Sequence, residues 1–254
     1  MIRLSVNVNK VATLRNSRGG TVPSVLEAVR VCVDAGVPGI TVHPRADQRH
    51  ITPTDVREIA RALRLERASG SPRVERSKTE FNIEGDPRPD LLDLVDDVRP
   101  DQCTLVPVVP GEVTSQAGWR PGPATAAMPD LIKRLHAGGV RVSLFVDAAP
   151  EPIQWAASVG ADRVELYTEP YVRAFERGPE IGRRAFTQYA DAARLAHGLG
   201  LGINAGHDLD LANLVVFREL PFLDEVSIGH AIMSRALFVG LSTVVREYLQ
   251  ILAG

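Results

Sequence analysis

Cysteine and lysine are scarce in this chain of 254 residues: Cys32 and Cys103 are its two thiols, and of the 29 basic residues only Lys10, Lys78 and Lys133 are lysines. Two isolated cysteines inside apolar stretches offer neither a disulfide framework nor a zinc spacing, and they read as buried thiols of a reducing cytoplasm. No apolar run approaches the roughly 18 residues of a membrane span. The opening segment, MIRLSVNVNK, is too short and too polar to read as a secretory signal, so a cytoplasmic protein is expected. An excess of one charge is lacking too: 29 Lys plus Arg stand against 31 Asp plus Glu, a formal net charge of −2. A nucleic-acid or membrane-surface binder normally shows a basic face, and this balance argues against either partner. What is present, 44% hydrophobic and 24% charged residues, is ordinary for a globular protein and excludes wholesale disorder. With about 100–200 residues per domain, the length fits one large or two small domains. No linker or composition break divides it, so residues 1–254 are read as one domain.

Short β-branched runs recur along the whole chain: IRLSVNV (2–8), GITVH (39–43), TEFNIE (79–84), QCTLVP (102–107), VRVSLFVD (140–147), RVELY (163–167), LGINA (201–205) and EVSIG (225–229). Most read as near-continuously apolar, the pattern of strands covered on both faces in a parallel sheet. Helix signals lie between them. Thr52-Pro53-Thr54-Asp55 sets a capping hydroxyl before a proline at the first helical position, and Val56, Ile59, Ala60 and Leu63 then share one face. A first linking helix is expected from about Pro23, with Leu26, Val29 and Val33 on one side and Gly36 as its stop. Eight such units in about 250 residues is the arithmetic of a TIM (β/α)8 barrel. An open doubly wound sheet usually has fewer strands, and no Gly-x-Gly-x-x-Gly follows the first run. Residues 64–78 read as a surface loop, and the Pro- and Gly-rich stretch 108–123 as a candidate active-site lid.

Barrel chemistry lies at the C-terminal ends of the strands. Those ends carry Asn7, Asn9 and Lys10, then His43, Arg45 and His50, then Glu84, Pro107, Asp147, Glu165, Asn204 with His207, and Gly229 with His230. Four of the six histidines therefore share one rim with two glutamates. His136 and His197 fall near helix ends, where a solvated or dipole-facing histidine is ordinary. Asp147, just before Ala148-Ala149-Pro150, reads as a cap on the next helix. Small residues in NAGH (204–207) and SIGH (227–230), after the last two strands, suit phosphate on backbone N–H groups. Arg18, in RNSRGG, and Arg45 with His50, in HPRADQRH, offer cationic donors for phosphate oxygens. Competing readings remain: a metal hydrolase, although no His-x-His ends the first strand; a Schiff-base aldolase through Lys10, although Lys10 reads as starting a loop; and a phosphate-ligand sensor without catalysis.

VNVNKVATLRNSRGG, GITVHPRADQRHIT, TEFNIEG, QCTLVP, VTSQAGW, RVSLFVDA, GINAGHDL and SIGHAIMSRAL together resemble the pyridoxine 5'-phosphate synthase family of vitamin B6 synthesis, over essentially the whole chain and in order. The resemblance implies a TIM barrel using neither cofactor nor metal, which condenses 1-deoxy-D-xylulose 5-phosphate with 3-amino-2-oxopropyl phosphate. The products are pyridoxine 5'-phosphate, inorganic phosphate and water. By motif, His43 and Glu84 match the family's proton acceptors, His207 its proton donor and Glu165 a transition-state stabiliser. Asn7, Arg18, Gly229 and His230, with Asp208 by location, match the positions holding the amino-ketone phosphate. Arg45, His50 and Thr114 match ligands of the sugar phosphate. The family's usual assembly is a homo-octamer. Three departures stand out. Asn9-Lys10 replaces an Asp-His that normally touches the sugar phosphate, and resembles an Asn-Lys, FNIEG-type branch. Pro107-Val108-Val109 stands where common members carry an acid and basic residues. Asp208 replaces a glycine.

Overall fold

The structure, a computed structural model, describes residues 1–68, 79–108 and 117–254. Its strands are β1 (Arg3–Asn7), β2 (Gly39–Val42), β3 (Glu80–Gly85), β4 (Gln102–Leu105), β5 (Arg141–Val146), β6 (Arg163–Tyr167), β7 (Gly202–Gly206) and β8 (Leu223–Ile228). Each pairs in parallel with the next, and β8 returns to β1 through Arg3↔Glu225 and Ser5↔Ser227, closing the barrel. All eight expected runs become strands, with ends shifted by at most two residues.

The faces of those strands differ from the expectation. Leu4, Val6, Ile40, Ile83, Cys103, Leu144, Val164, Ile203 and Val226 point outward into the core beneath the helices. The alternate positions are mostly polar and face the lumen. Ser5 Oγ meets Thr41 Oγ1 at 2.7 Å, Thr104 donates to Asn82 Oδ1 at 3.0 Å, and Asn204 reaches Gln102 Oε1 at 3.5 Å. That last contact joins β7 to β4, which are not neighbours, and therefore crosses the lumen. Alternation, rather than continuous apolarity, is the pattern, with Phe145 the large apolar side chain on the lumen side. Short polar side chains are tolerated inside because they satisfy one another.

Among the described residues the helices are α1 (Asn9–Asn16), α2 (Val25–Asp34), α3 (Pro53–Ala68), α4 (Pro89–Val98), α5 (Met128–Ala137), α6 (Pro150–Ser158), α7 (Glu169–Glu176), α8 (Pro179–Gly198), α9 (Leu211–Phe217), α10 (His230–Val239) and α11 (Leu241–Ala253). The first crossover holds two helices rather than one. α2 starts after Ser24, whose hydroxyl accepts from the Glu27 N–H at 3.2 Å. Lys10, expected to start a loop, lies in the first turn of α1. Asp55 and Thr52 cap α3 reciprocally, and Arg15 grips the Asp55 carboxylate at 2.5 and 2.9 Å, tying α1 to α3. α3 also runs on through the start of the expected 64–78 loop. Arg64 reaches the Val98 carbonyl and Arg67 the Asp101 carboxylate (2.5 Å), which docks that last turn; residues 69–78 lie outside the described ones. No described helix is long and apolar enough to cross a membrane.

Of the expected lid, residues 109–116 lie outside the described ones. Residues 118–120 lie across the ends of β4 and β5. Trp119 donates its N–H to Phe145 O (2.8 Å) and its indole N–H to Leu105 O (2.9 Å). Gly118 passes so close that an added Cβ would sit 2.3 Å from Val146 Cα. Asp147 accepts the Gly118 N–H at 3.1 Å and pairs with Arg120 at 3.2 Å. It does not cap α6, whose N-cap is Ala149 without a side-chain bond. A backbone N–H and a guanidinium within reach outcompete a helix start two residues away.

Candidate active site

A cavity of about 440 Å³ opens at the C-terminal mouth of the barrel. Asn7, Asn9, Lys10, His43, Arg45, His50, Glu84, Glu165, His207, Asp208, Gly229 and His230 all line it. Among the described residues, one expected site residue does not join them. Arg18 is exposed beyond the end of α1 and outside this wall. Asn16 donates to the His50 carbonyl at 2.9 Å and Arg15 pairs with Asp55, which ties the end of α1 to the start of α3. Thr114 lies outside the described residues. Thr13, Arg49, Val106 and Ser227 complete the wall. Thr13 is one helical turn beyond Lys10 and becomes legible only once α1 is known. Arg49 carries no sign that separates it from the many surface arginines, and Ser227 is on the lumen face two residues before Gly229.

The floor consists of two buried carboxylates. Glu84 ends β3, and its Oε2 accepts from Asn7 Nδ2 at 3.3 Å while Oε1 accepts from Ser227 Oγ at 3.5 Å. Burial pushes Glu84 up to about 8, against the Ser227 hydrogen bond and with help from the charge of Glu225. Glu165 is 2% exposed and its Oε2 has no hydrogen-bond partner. Burial first, and then the charges of Glu84 and Glu225, raise it well above the carboxylate range. Like charges in a dry site do not both ionise easily, and of the two Glu165 holds its proton the more tightly. Gly206 leaves it room: a Cβ there would lie 2.4 Å from Glu165 Oε1.

The walls carry imidazoles kept neutral. The backbone N–H of His43 donates to Asn9 Oδ1 at 2.9 Å, and the buried ring Nε2 has no hydrogen-bond partner. Burial, together with His50, Arg45 and His207 nearby, takes His43 well below the usual histidine range. His50 accepts the Ile51 N–H on Nδ1 at 2.9 Å, so the neutral ring carries its proton on Nε2. Burial, then Arg45 and Arg49, push it down to about 4. Burial also lowers His207, while the Asp208 and Glu169 carboxylates oppose. Lys10, Arg45 and Arg49 give the mouth a cationic side. On another side α10 begins at His230 behind Gly229, where a Cβ would meet Asn7 at 3.0 Å. The backbone there approaches the cavity closely, and the N–H groups of a helix start suit an anion. Among the described residues, no three His, Cys, Asp or Glu side chains gather in a metal-holding arrangement.

The model of the pyridoxal phosphate biosynthesis protein PdxJ family matches residues 4–254. The chain belongs to the PdxJ family. It is 48% identical to the pyridoxine 5'-phosphate synthase of Porphyromonas gingivalis, covering all of both chains. It is also 48% identical to that of Leptospira biflexa, covering all of this chain and 98% of the relative. Solved structures share the fold at far lower identity. A thiamine phosphate pyrophosphorylase from Pyrococcus furiosus superposes with a TM-score of 0.62 at 14% identity, over 99% of this chain and 96% of the other. A phosphoribosylanthranilate isomerase from Thermotoga maritima gives 0.61 at 13%, over the whole of both. His207 and Asp208 both take left-handed φ, 80° and 55°, which non-glycine residues rarely adopt and which clusters at functional sites.

Proposed function

We propose that this chain is a pyridoxine 5'-phosphate synthase, condensing 1-deoxy-D-xylulose 5-phosphate with 3-amino-2-oxopropyl phosphate without a cofactor. The observation that carries the reading is one cavity in which two buried glutamates of raised proton affinity face histidines of lowered proton affinity beneath a cationic rim. An amine must lose a proton before it attacks a ketone, and Glu84, which ionises near 8, is the base. Glu165 keeps its proton and donates a hydrogen bond to oxygen as negative charge develops there. His43 is neutral and accepts protons as the Schiff base forms and the ring closes. His207 delivers protons to the departing water and phosphate. Holding both substrates in register supplies much of the acceleration.

The amino-ketone phosphate takes the α10 start, with Gly229, His230 and Asn7, and Asp208 at its edge. The sugar phosphate takes Arg45 and His50, with Lys10 and Asn9 beside them. Lys10 is exposed on α1, which speaks against the Schiff-base aldolase, since such a lysine needs a desolvated site. The same reading carries a homo-octamer. The exposed Leu237, Phe238 and Leu14 on the adjacent helices α10 and α1 supply an apolar surface for such contacts.

A two-substrate assay on metal-free protein tests the reaction. Pyridoxine 5'-phosphate, followed by absorbance, and inorganic phosphate are expected to appear in equal amounts. Silence from folded protein given both substrates sinks the reading. Size-exclusion chromatography with light scattering tests the octamer, and a monomer at micromolar concentration rejects it.

A further inference from the structure

His207 sits in a corner whose other members none of the proposed roles uses. Its ring packs on Phe145 with centroids 5.2 Å apart, and edge-on against Tyr167 at 5.7 Å. Thr168, fully buried, donates its hydroxyl to Gly206 O (2.6 Å) and to His207 O, and so holds the left-handed backbone of His207 in place. Glu169, in the first turn of α7, accepts the Tyr167 phenol on Oε2 and Arg173 Nε on Oε1 at 3.3 Å. Tyr167 thus packs on the imidazole, Thr168 holds the backbone beneath it, and Glu169 holds Tyr167.

We propose that Tyr167 and Glu169 are positioning residues for His207: the phenol packs edge-on against the ring and is itself held by the Glu169 carboxylate at the start of α7. The inference rests on the synthase reading for its kinetic consequence but not for its physical one. The groups facing His207 are few. Asp208 from its own loop and Glu169 from α7 favour the charged ring, while burial opposes it. The interaction with His43 across the cavity is one of repulsion between the charged forms. Tyr167 is neutral, its ionisation pushed upward by burial and by Glu169, and Phe145 carries no charge. Asp208 lines the cavity and exchanges its surroundings when substrate enters. Glu169 does not line it, so its charge is the constant one through the cycle.

The test uses Glu169→Gln and Tyr167→Phe, near-isosteric changes, the first at a side chain 33% exposed. The His207 ring is titrated by NMR in resting protein, assigned with His207→Gln, and kcat is measured against pH. Glu169→Gln is expected to move the His207 titration down by about half a unit, the scale of one partly solvated charge. kcat on the alkaline side then falls about threefold with KM changed less than twofold. Tyr167→Phe gives a smaller shift in the same direction, and Glu169→Asp restores most of it. An unmoved His207 titration in both variants overturns the proposal, including where kcat drops equally at every pH. A wild-type protein that makes no pyridoxine 5'-phosphate while Glu169→Gln still moves His207 rejects the synthase reading and supports the positioning role.

Discussion

The two ends of the barrel lumen draw on similar residue types and arrange them to opposite effect. Near the N-terminal ends of the strands the lumen carboxylates Glu80 and Glu225 each meet a guanidinium. Glu80 takes Arg141 at 2.5 Å and Arg3 at 3.4 Å, and Glu225 takes Arg3 at 3.5 Å. Gln102 and Asn204 add carbonyl oxygens to Arg141 (2.9 Å) and Arg163 (2.8 Å). At the C-terminal ends, Glu84 and Glu165 have only neutral hydrogen-bond donors or none, and the cations stand apart on the rim. One end has its charges compensated and serves as a plug. The other keeps charges desolvated and uncompensated, which costs stability and tunes protonation. Reactivity in this fold comes from withholding at the mouth the partners supplied at the base.

Removing a carboxylate from the open end is the sharpest break of that contrast. Glu84→Gln is expected to lower turnover about a thousandfold, the scale of a lost general base. Its effect on stability has the opposite sign at high pH. The folded-state pKa of about 8 exceeds the ordinary carboxylate value, so between the two the folded chain holds a proton that the unfolded chain has released. Stability therefore falls as pH rises through that window, and glutamine removes the fall. Thermal melts at pH 5 and 8.5 are expected to show wild type losing more Tm than the variant. An equal loss in both would mean that Glu84 is already ionised in the resting site.

The converse break is Glu225→Ala at the closed end. It leaves Arg3 and Arg163 without the carboxylate between them, in a lumen where Glu225 itself is 3% exposed. Because Arg3 is partly solvated, the expected loss is about 2 kcal/mol rather than the full value for a buried pair. Urea titration measures it. Turnover per folded molecule is expected to survive. If activity disappeared while stability held, the plug would belong to the catalytic machinery and the contrast between the ends would fail.

The order of the barrel was legible because strand runs recur eight times with helix signals between them, and the site because its residues sit at strand ends. The division of the lumen was not. Ser5, Thr41, Asn82 and Thr104 are small enough that their runs read as apolar, and only pairing across the lumen shows that these alternate positions are a polar set. Helix α1 escaped notice because its buried contact is Ala12 alone, which gives no apolar stripe. Asp147 was misread because the partner that decides its position, Gly118, is distant in sequence.

The smallest expected effect belongs to Asp208→Gly, at the open end. The φ of 55° suits glycine, and relieving it favours the variant by about 1 kcal/mol. Glycine also gives the unfolded chain more freedom, which takes back a similar amount. The two offset, and a stability change within about half a kcal/mol is expected by urea titration. The chemistry is not neutral in the same way. Asp208 is the larger of the two opposing charges that lift His207 against burial, so its loss lowers the proton affinity of that ring. The alkaline limb of kcat should then move to lower pH with the fold unchanged. A stability gain above about 1 kcal/mol would mean that the left-handed aspartate strains the chain more than the entropy offsets.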